Sequence, residues 1–197
     1  MPKLFPHYRE EIRRKIIFEA FEVFIEKGYE KTTMDDIAAR LGVTKPAIYR
    51  YFKNKDELFL ESIAEMVMTE YKNYLNLLFT GDDIMAGANK FFDAVLEFSR
   101  KYHTLSTDVF TVIRRNRSFL ENSPGYHQEM LRLMQVLFKE QYKKGSIHTD
   151  LHERELAILL GSIIEGLIHL IMEDLDPDEA KEVWLKGFAK LIGITIG

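Results

Sequence analysis

Residues 32–58 read TTMDDIAARLGVTKPAIYRYFKNKDEL. Thr33 stands where a helix N-cap belongs, and Asp35 and Asp36 follow at the positive end of the helix dipole. Ile37 and Leu41, one turn apart, give that helix an apolar edge, and Gly42 stops it. After a turn of about three residues, a second short helix is expected over 44–52. Its Ile48 and Phe52 face back toward Ile37 and Leu41. Val43 is expected to plug the turn, and Ala38 is small where the two helices approach. Two helices crossing at a Gly-containing turn make a helix-turn-helix.

That packing explains the apolar residues and leaves the rest of TKPAIYRYFKNK, 44–55, without a structural role. These twelve residues hold one proline, three aromatics, four cations and no acid. The whole chain of 197 residues has a formal charge of −4. Its charge is uneven: residues 1–58 carry 12 basic and 10 acidic side chains, and the remainder 15 and 21. In a helix-turn-helix the start of the second helix enters the major groove of DNA. Thr44 is placed to cap that helix, and Pro46 costs little in a first turn, whose amides have no intrahelical partner. Pro46 and Ala47 keep the tip slim and offer apolar contact to thymine methyl groups, while Lys45 can donate to guanine. The hydroxyls of Tyr49 and Tyr51 suit phosphates. Lys55 lies beside free amides at the start of the next helix, a ready anion site. The basic run thus lies along a phosphate backbone while a short helix reads the groove.

The ordered pieces Gly28–Tyr29, T-T-M at 32–34, I-A-x-x-L-G-V at 37–43, P-A-I-Y at 46–49 and Y-F-K-N-K-D-E-L at 51–58 resemble the TetR family of transcriptional regulators. The resemblance covers the N-terminal part of the chain; beyond it the likeness is one of length and helical pattern. It implies a homodimer that binds a near-palindromic operator and releases it when a small molecule enters the C-terminal body. By position, it implies that Lys45, Pro46 and Ala47 face bases. Thr33, Tyr49, Tyr51 and Lys55 face phosphates, Thr44 sits at the start of the reading helix, and Arg50 serves either role. Lys3 and His7, ahead of the first helix, would suit a minor-groove arm.

Working outward, nearly every segment has helical apolar spacing and none has a sustained period-2 run, so the chain is expected to be all-α with about nine helices. A stripe of Ile12, Ile16, Ala20, Phe21, Phe24 and Ile25 defines a first helix ending at Gly28. N-K-D-E at 54–57 reads as a capping box opening a fourth helix. The remaining helices are expected near 84–102, 105–119, up to Lys144, 151–173 and up to Ile192. TGDD at 80–83 and ENSPG at 121–125 are breaks. The division is expected near residue 58: a DNA-binding domain over 1–58 and a ligand-binding and dimerisation domain over 59–197.

The body is rich in aromatics and methionines, which suit an adaptable apolar cavity. Candidate lining residues are Met66, Tyr71, Phe91, Phe92, Phe98, Tyr102, Phe110, Phe119, Met134, Phe138, Glu165 and His169. An apolar or aromatic effector is expected. A cationic one is the alternative, because Glu165 lies within an apolar run; Glu165 is equally suited to bonding across a dimer axis. Leu156–Met172 is apolar on more than one face, so Leu156, Leu160, Ile163, Ile164 and Leu167, with Trp184, Phe188 and Leu191, are expected to form the dimer surface. The same run falls short of the roughly 20 apolar residues of a membrane span and has acidic flanks.

There is no cysteine, which excludes disulfides, thiol catalysis and cysteine-bound zinc. His148 and His152 have a zinc-like spacing, with Asp150 and Glu153 near, but no third ligand is specified and no metal is expected. No catalytic constellation stands out, so no enzyme and no cofactor beyond the effector is expected. The absence of an apolar leader points to the cytoplasm. The alternative function keeps the DNA binding and gives the body to a protein partner, or to spreading along DNA, with no small-molecule inducer.

Overall fold

The computed structural model describes residues 6–79, 83–115 and 126–194. Nine helices lie among them: α1 Pro6–Lys27, α2 Met34–Leu41, α3 Lys45–Tyr49, α4 Lys55–Phe79, α5 Ile84–Lys101, α6 His103–Arg115, α7 Tyr126–Lys144, α8 Glu153–Glu173 and α9 Pro177–Ile192. No strand occurs among the described residues, as the helical spacing predicted. ENSPG at 121–125, Thr80 to Asp82, Lys3 and Phe119 lie outside the described residues, as do the side chains of His7 and Phe110.

The chain divides into two compact units. The first holds α1–α3, α4 as far as Thr69, and α6; the second holds α4 from Glu70, α5 and α7–α9. This differs from a division near residue 58. The reason is packing: Ile63 and Met66 of α4, with Leu105 and Val112 of α6, belong to the same apolar cluster as α1–α3.

In the first unit the expected stripe of α1 is buried at Ile16, Ala20, Phe21 and Phe24, with Ile12 and Ile25 at its margin. It meets Met34, Ile37 and Ala38 of α2, Ile48 of α3, then Phe52, Leu58 and Phe59. Phe59 anchors this core, with ring centroids 4.9 Å from Phe24 and 4.7 Å from Tyr29. Val43 does not plug the turn; it is 44% exposed. Gly42 takes a left-handed φ of 67°, and the amide of Val43 donates to the Ala38 carbonyl at 3.0 Å. Val43 closes the helix with its backbone, and its side chain stays outside.

In the second unit Trp184 is central. Its indole N–H donates to the Ala88 carbonyl at 2.9 Å, and its ring lies 5.6 Å from Phe91 and 5.4 Å from Phe188. Leu156, Leu160, Ile164 and Leu167 of α8 fill the same core with Met134 and Phe138 of α7. α9 starts on Asp176, whose carboxylate accepts from the amides of Asp178 and Glu179, both at 3.0 Å, with Pro177 in the first turn. α8 is long and apolar enough to cross a membrane by length and composition alone; here its buried stripe is part of a packed helical core.

Candidate nucleic-acid interface

Thr33 caps α2 as expected: its hydroxyl accepts from the Asp36 amide at 3.1 Å, and the Asp36 carboxylate accepts from the Thr33 amide at 2.8 Å. Asp36 also receives Lys27 at 2.6 Å. The Lys27 and Thr33 donors hold its carboxyl well below the usual carboxylate range. Arg40 at the far end of α2 bonds Glu19 at 3.2 Å and Glu26 at 2.6 Å. These pairs tie α2 to α1 and keep Arg40 occupied.

α3 is shorter than expected. It spans Lys45–Tyr49, and Arg50 to Phe52 follow as a turn in which the amides of Tyr51 and Phe52 donate to the Ile48 carbonyl at 2.9 and 3.1 Å. Thr44 has the extended backbone of an N-cap but makes no side-chain cap bond. Only Ile48 of this helix is buried. Thr44, Pro46, Tyr49 and Arg50 are exposed, and Lys45 and Ala47 are half-buried. The apolar tip and the aromatic hydroxyl therefore stand on the outer surface, presented by one buried isoleucine.

The cations of 44–55 fall into three groups. Arg50 and Lys53 are exposed, and no side-chain hydrogen bond or ion pair holds them among the described residues. Lys45 donates to Asp35 at 2.8 Å, which raises its ammonium above the ordinary lysine value. Lys55 is turned inward: its ammonium donates to the carbonyls of Tyr29 at 2.8 Å and Thr32 at 3.0 Å and lies 4.1 Å from the centre of the Tyr29 ring. The sequence pattern places Lys55 at a phosphate. The structure uses two of its three donors as a brace for the turn that delivers α2. Tyr29 is the partner that sequence reasoning missed. Its hydroxyl donates to Asp56 and its amide to Asp108 at 3.2 Å. Burial and the Asp56 bond push its phenol well above the usual tyrosine range. Gly28–Tyr29 stood among the motif pieces, but nothing in the sequence gave Tyr29 these partners.

Tyr51 is half-buried with the Arg9 guanidinium 5.9 Å from its ring centre, and Arg13 lies 5.0 Å from the Phe52 ring while pairing with Glu61. Arg9 thus stands beside the same surface, contributed by α1. The cap of α4 is close to the one expected. Asn54 accepts from the Glu57 amide at 2.8 Å, but the Glu57 carboxylate reaches back to the amide of Lys53.

The residues expected to line a cavity do not come together as one set. Met66 and Tyr102 pack in the first unit, Tyr102 with its ring 5.6 Å from Phe21. Tyr71, Phe91, Phe92, Met134 and Phe138 are buried in the second, where the Tyr71 hydroxyl meets the Met134 sulfur at 3.1 Å. Phe98 is half-buried, 6.1 Å from the Tyr74 ring. Glu165 and His169 are exposed on α8, and His169 lies 3.4 Å from Glu173. They correct the reading that placed them inside. Residues one turn apart on a helix share a face, and this face is not the one that α7 and α9 cover.

The expected dimer surface needs a matching correction. Leu156, Leu160, Ile164, Leu167, Trp184 and Phe188 are spent on the core of the unit itself, with Ile163 and Leu191 at its margin. The apolar side chains left outside on these two helices are Ile158, Leu159, Leu170 and Val183, each at least 40% exposed. His152 contacts Glu153 at 2.9 Å, and no group of three or more metal-ligating side chains occurs among the described residues.

A two-helix reading head on an all-helical body is the architecture of a helix-turn-helix regulator, and comparison with known proteins agrees. Residues 16–62 match the family model of bacterial regulatory proteins, tetR family. The HTH-type transcriptional activator FasR of Mycolicibacterium smegmatis is 34% identical over 101 residues, 49% of this chain and 46% of that one. The chain therefore spans less than half the length of that relative. The HTH-type transcriptional repressor Rv1474c of Mycobacterium tuberculosis is 23% identical over 187 residues, 93% of this chain and 94% of the repressor. Among solved structures, a cysteine mutant of the TetR family regulator CifR, complexed with a 26-base-pair operator DNA, has a TM-score of 0.60 at 17% identity. That similarity covers 89% of this chain and 98% of that one. The match at residues 16–62 and these likenesses support a TetR family transcriptional regulator. Its relatives are transcriptional regulators rather than enzymes.

Proposed function

We propose that the protein is a cytoplasmic, homodimeric transcriptional repressor that binds a palindromic operator through α2 and α3. A small apolar or aromatic molecule taken up by the C-terminal body releases it. The observation that carries the DNA reading is the outward tip of α3. Pro46 and Tyr49 stand exposed on a helix held by Ile48, and just after it come Arg50 and Lys53, two exposed cations with no side-chain partner among the described residues. Repression is the favoured sign of regulation because the likeness to a named repressor runs end to end, whereas that to a named activator covers half the chain.

Dimerisation is supported by α8 and α9. Leu159, Ile163, Gly166 and Leu170 follow a 4-3-4 spacing along α8, and Val183 and Gly187 lie one turn apart on α9. A Cβ built at Gly187 would lie 3.8 Å from the Ile163 side chain, so the two stripes adjoin. Such a face, pairing with itself about a two-fold axis, would match two reading heads to half-sites about 34 Å apart. An effector would act by binding one body conformation better than the other.

The test is selection of random or genomic DNA fragments by the purified protein at near-physiological salt. Enrichment of one palindrome is expected, and addition of compounds linked to the neighbouring genes should weaken that complex. Binding that is uniform across sequences would sink the operator reading. An operator affinity unchanged across a broad metabolite set would leave DNA binding intact and remove the inducer.

A further inference from the structure

Of the cations in residues 44–55, Lys45 is the one paired with an acidic side chain among the described residues. Its ammonium donates to Asp35 at 2.8 Å, from the first residue of α3 to the first turn of α2. The cap of α2 does not need Asp35, because Thr33 and Asp36 form it, and the Asp35 side chain is 70% exposed. An exposed pair of this kind contributes little to stability, and the helix dipole accounts for an acid at Asp35 but not for its bond to Lys45.

A lysine is a compact charge with three rotatable donors on a flexible stem. Left alone at the tip of α3, it would bind whichever phosphate came near. A carboxylate that takes one donor fixes the stem and cancels much of the attraction to phosphate. Two donors remain for neutral acceptors, of which O6 and N7 of guanine form the denser pair in the major groove. The carboxylate also repels a phosphate in a wrong register, an unfavourable contact that sharpens discrimination.

Resting on the DNA-binding reading above, we propose that Asp35 is a specificity-determining positioning residue. It holds Lys45 toward base edges and away from the phosphate backbone. The partition is internal to the head: Arg50 and Lys53 supply sequence-independent charge, and Lys45, tethered, supplies choice.

The experiment measures binding of the purified full-length protein to the duplex enriched by selection and to a shuffled duplex, across a salt series. Asp35→Asn keeps shape and removes the charge. It should bind the shuffled duplex more tightly and lower the specific-to-shuffled ratio about tenfold. It should also steepen the slope of log affinity against log salt by about 0.9, as a freed lysine engages one phosphate. In a Lys45→Met background, Asp35→Asn should leave the ratio unchanged. An unchanged ratio and slope in the wild-type background would overturn the proposal. So would an equal change in both backgrounds, which would mean that Asp35 acts without Lys45. Thermal melts of Asp35→Asn are expected to lie close to those of the parent, because the cap of α2 is intact and only a helix-end charge is lost. If the wild-type protein itself distinguishes no duplex, the operator reading falls and this inference with it. If it discriminates and Asp35→Asn discriminates equally well, only this inference falls.

Discussion

Lys55 answers two demands with one side chain. Its two carbonyl bonds and the Tyr29 ring hold the turn before α2 against the start of α4. Replacing it with alanine should cost about 1–2 kcal/mol of stability, from two hydrogen bonds to a charged group and one cation–π contact, partly screened. Urea unfolding checks this. If Lys55→Ala unfolds like the parent and only DNA binding drops, the brace is unimportant and the phosphate role stands. Asp36 carries a pH prediction. Its folded pKa is depressed by the bonds from Lys27 and Thr33, so the stability it contributes is present above its unfolded value of about 3.9. It is lost as pH falls through that value toward the depressed folded one. Asp36→Asn should therefore flatten the acid limb of the stability curve below about pH 4, while the neutral limb keeps its shape.

At the scale of the element, the two N-caps of the reading head should respond differently to the same change. Thr33→Ala removes a cap bond that exists and should cost about 1 kcal/mol. Thr44→Ala removes none and should fall within about 0.5 kcal/mol of the parent. The helix C-termini separate in the same way. Gly42 and Gly193 both have left-handed φ, 67° and 80°. A Cβ at Gly42 meets open space, so Gly42→Ala should cost about 1–2 kcal/mol from conformation alone. At Gly193 the Cβ would collide with the His148 carbonyl, in the segment whose amide donates to the Ile192 carbonyl at 2.8 Å. Gly193→Ala should be clearly the worse of the two. Thermal melts ranking the pair the other way would show that the connection before α8 yields freely.

For the whole molecule, the question is which side chains serve the protomer and which would serve a partner in the proposed dimer. Leu170→Lys should leave the melting of the protomer nearly unchanged and convert a dimer to monomers in sedimentation, because Leu170 is 46% exposed. Leu160→Ala should instead cost about 2–5 kcal/mol, because Leu160 is fully buried in the core of α7, α8 and α9. Sedimentation of Leu170→Lys as an unaltered dimer would move the interface elsewhere. A dimer lost on Leu170→Lys should also lose operator binding more than it loses the weak affinity of a single head, since two half-sites are then no longer linked.

The helical class, the helix-turn-helix and many of the described helix ends were legible in the chain alone. Each depends on local physics: apolar spacing near 3.6, a Thr that caps, a Gly that accepts positive φ. The exposed tip of α3 was legible as well, because Ile48 is its one aliphatic anchor ahead of Phe52, but the early end of the helix at Tyr49 was not. Tertiary structure decided what periodicity cannot rank. An amphipathic helix with two apolar stripes does not announce which stripe its own unit will cover. Thus Leu160 and Trp184 went to the core and Leu159 and Leu170 to the surface. A lysine's reach exceeds the width of a helix, so its partner is set by what folds beside it. Lys55 turned inward to the Tyr29 and Thr32 carbonyls, and Lys45 met Asp35. Local sequence determines where helices begin, end and bear charge; contacts between residues far apart in the chain determine which of those charges remain available to a ligand.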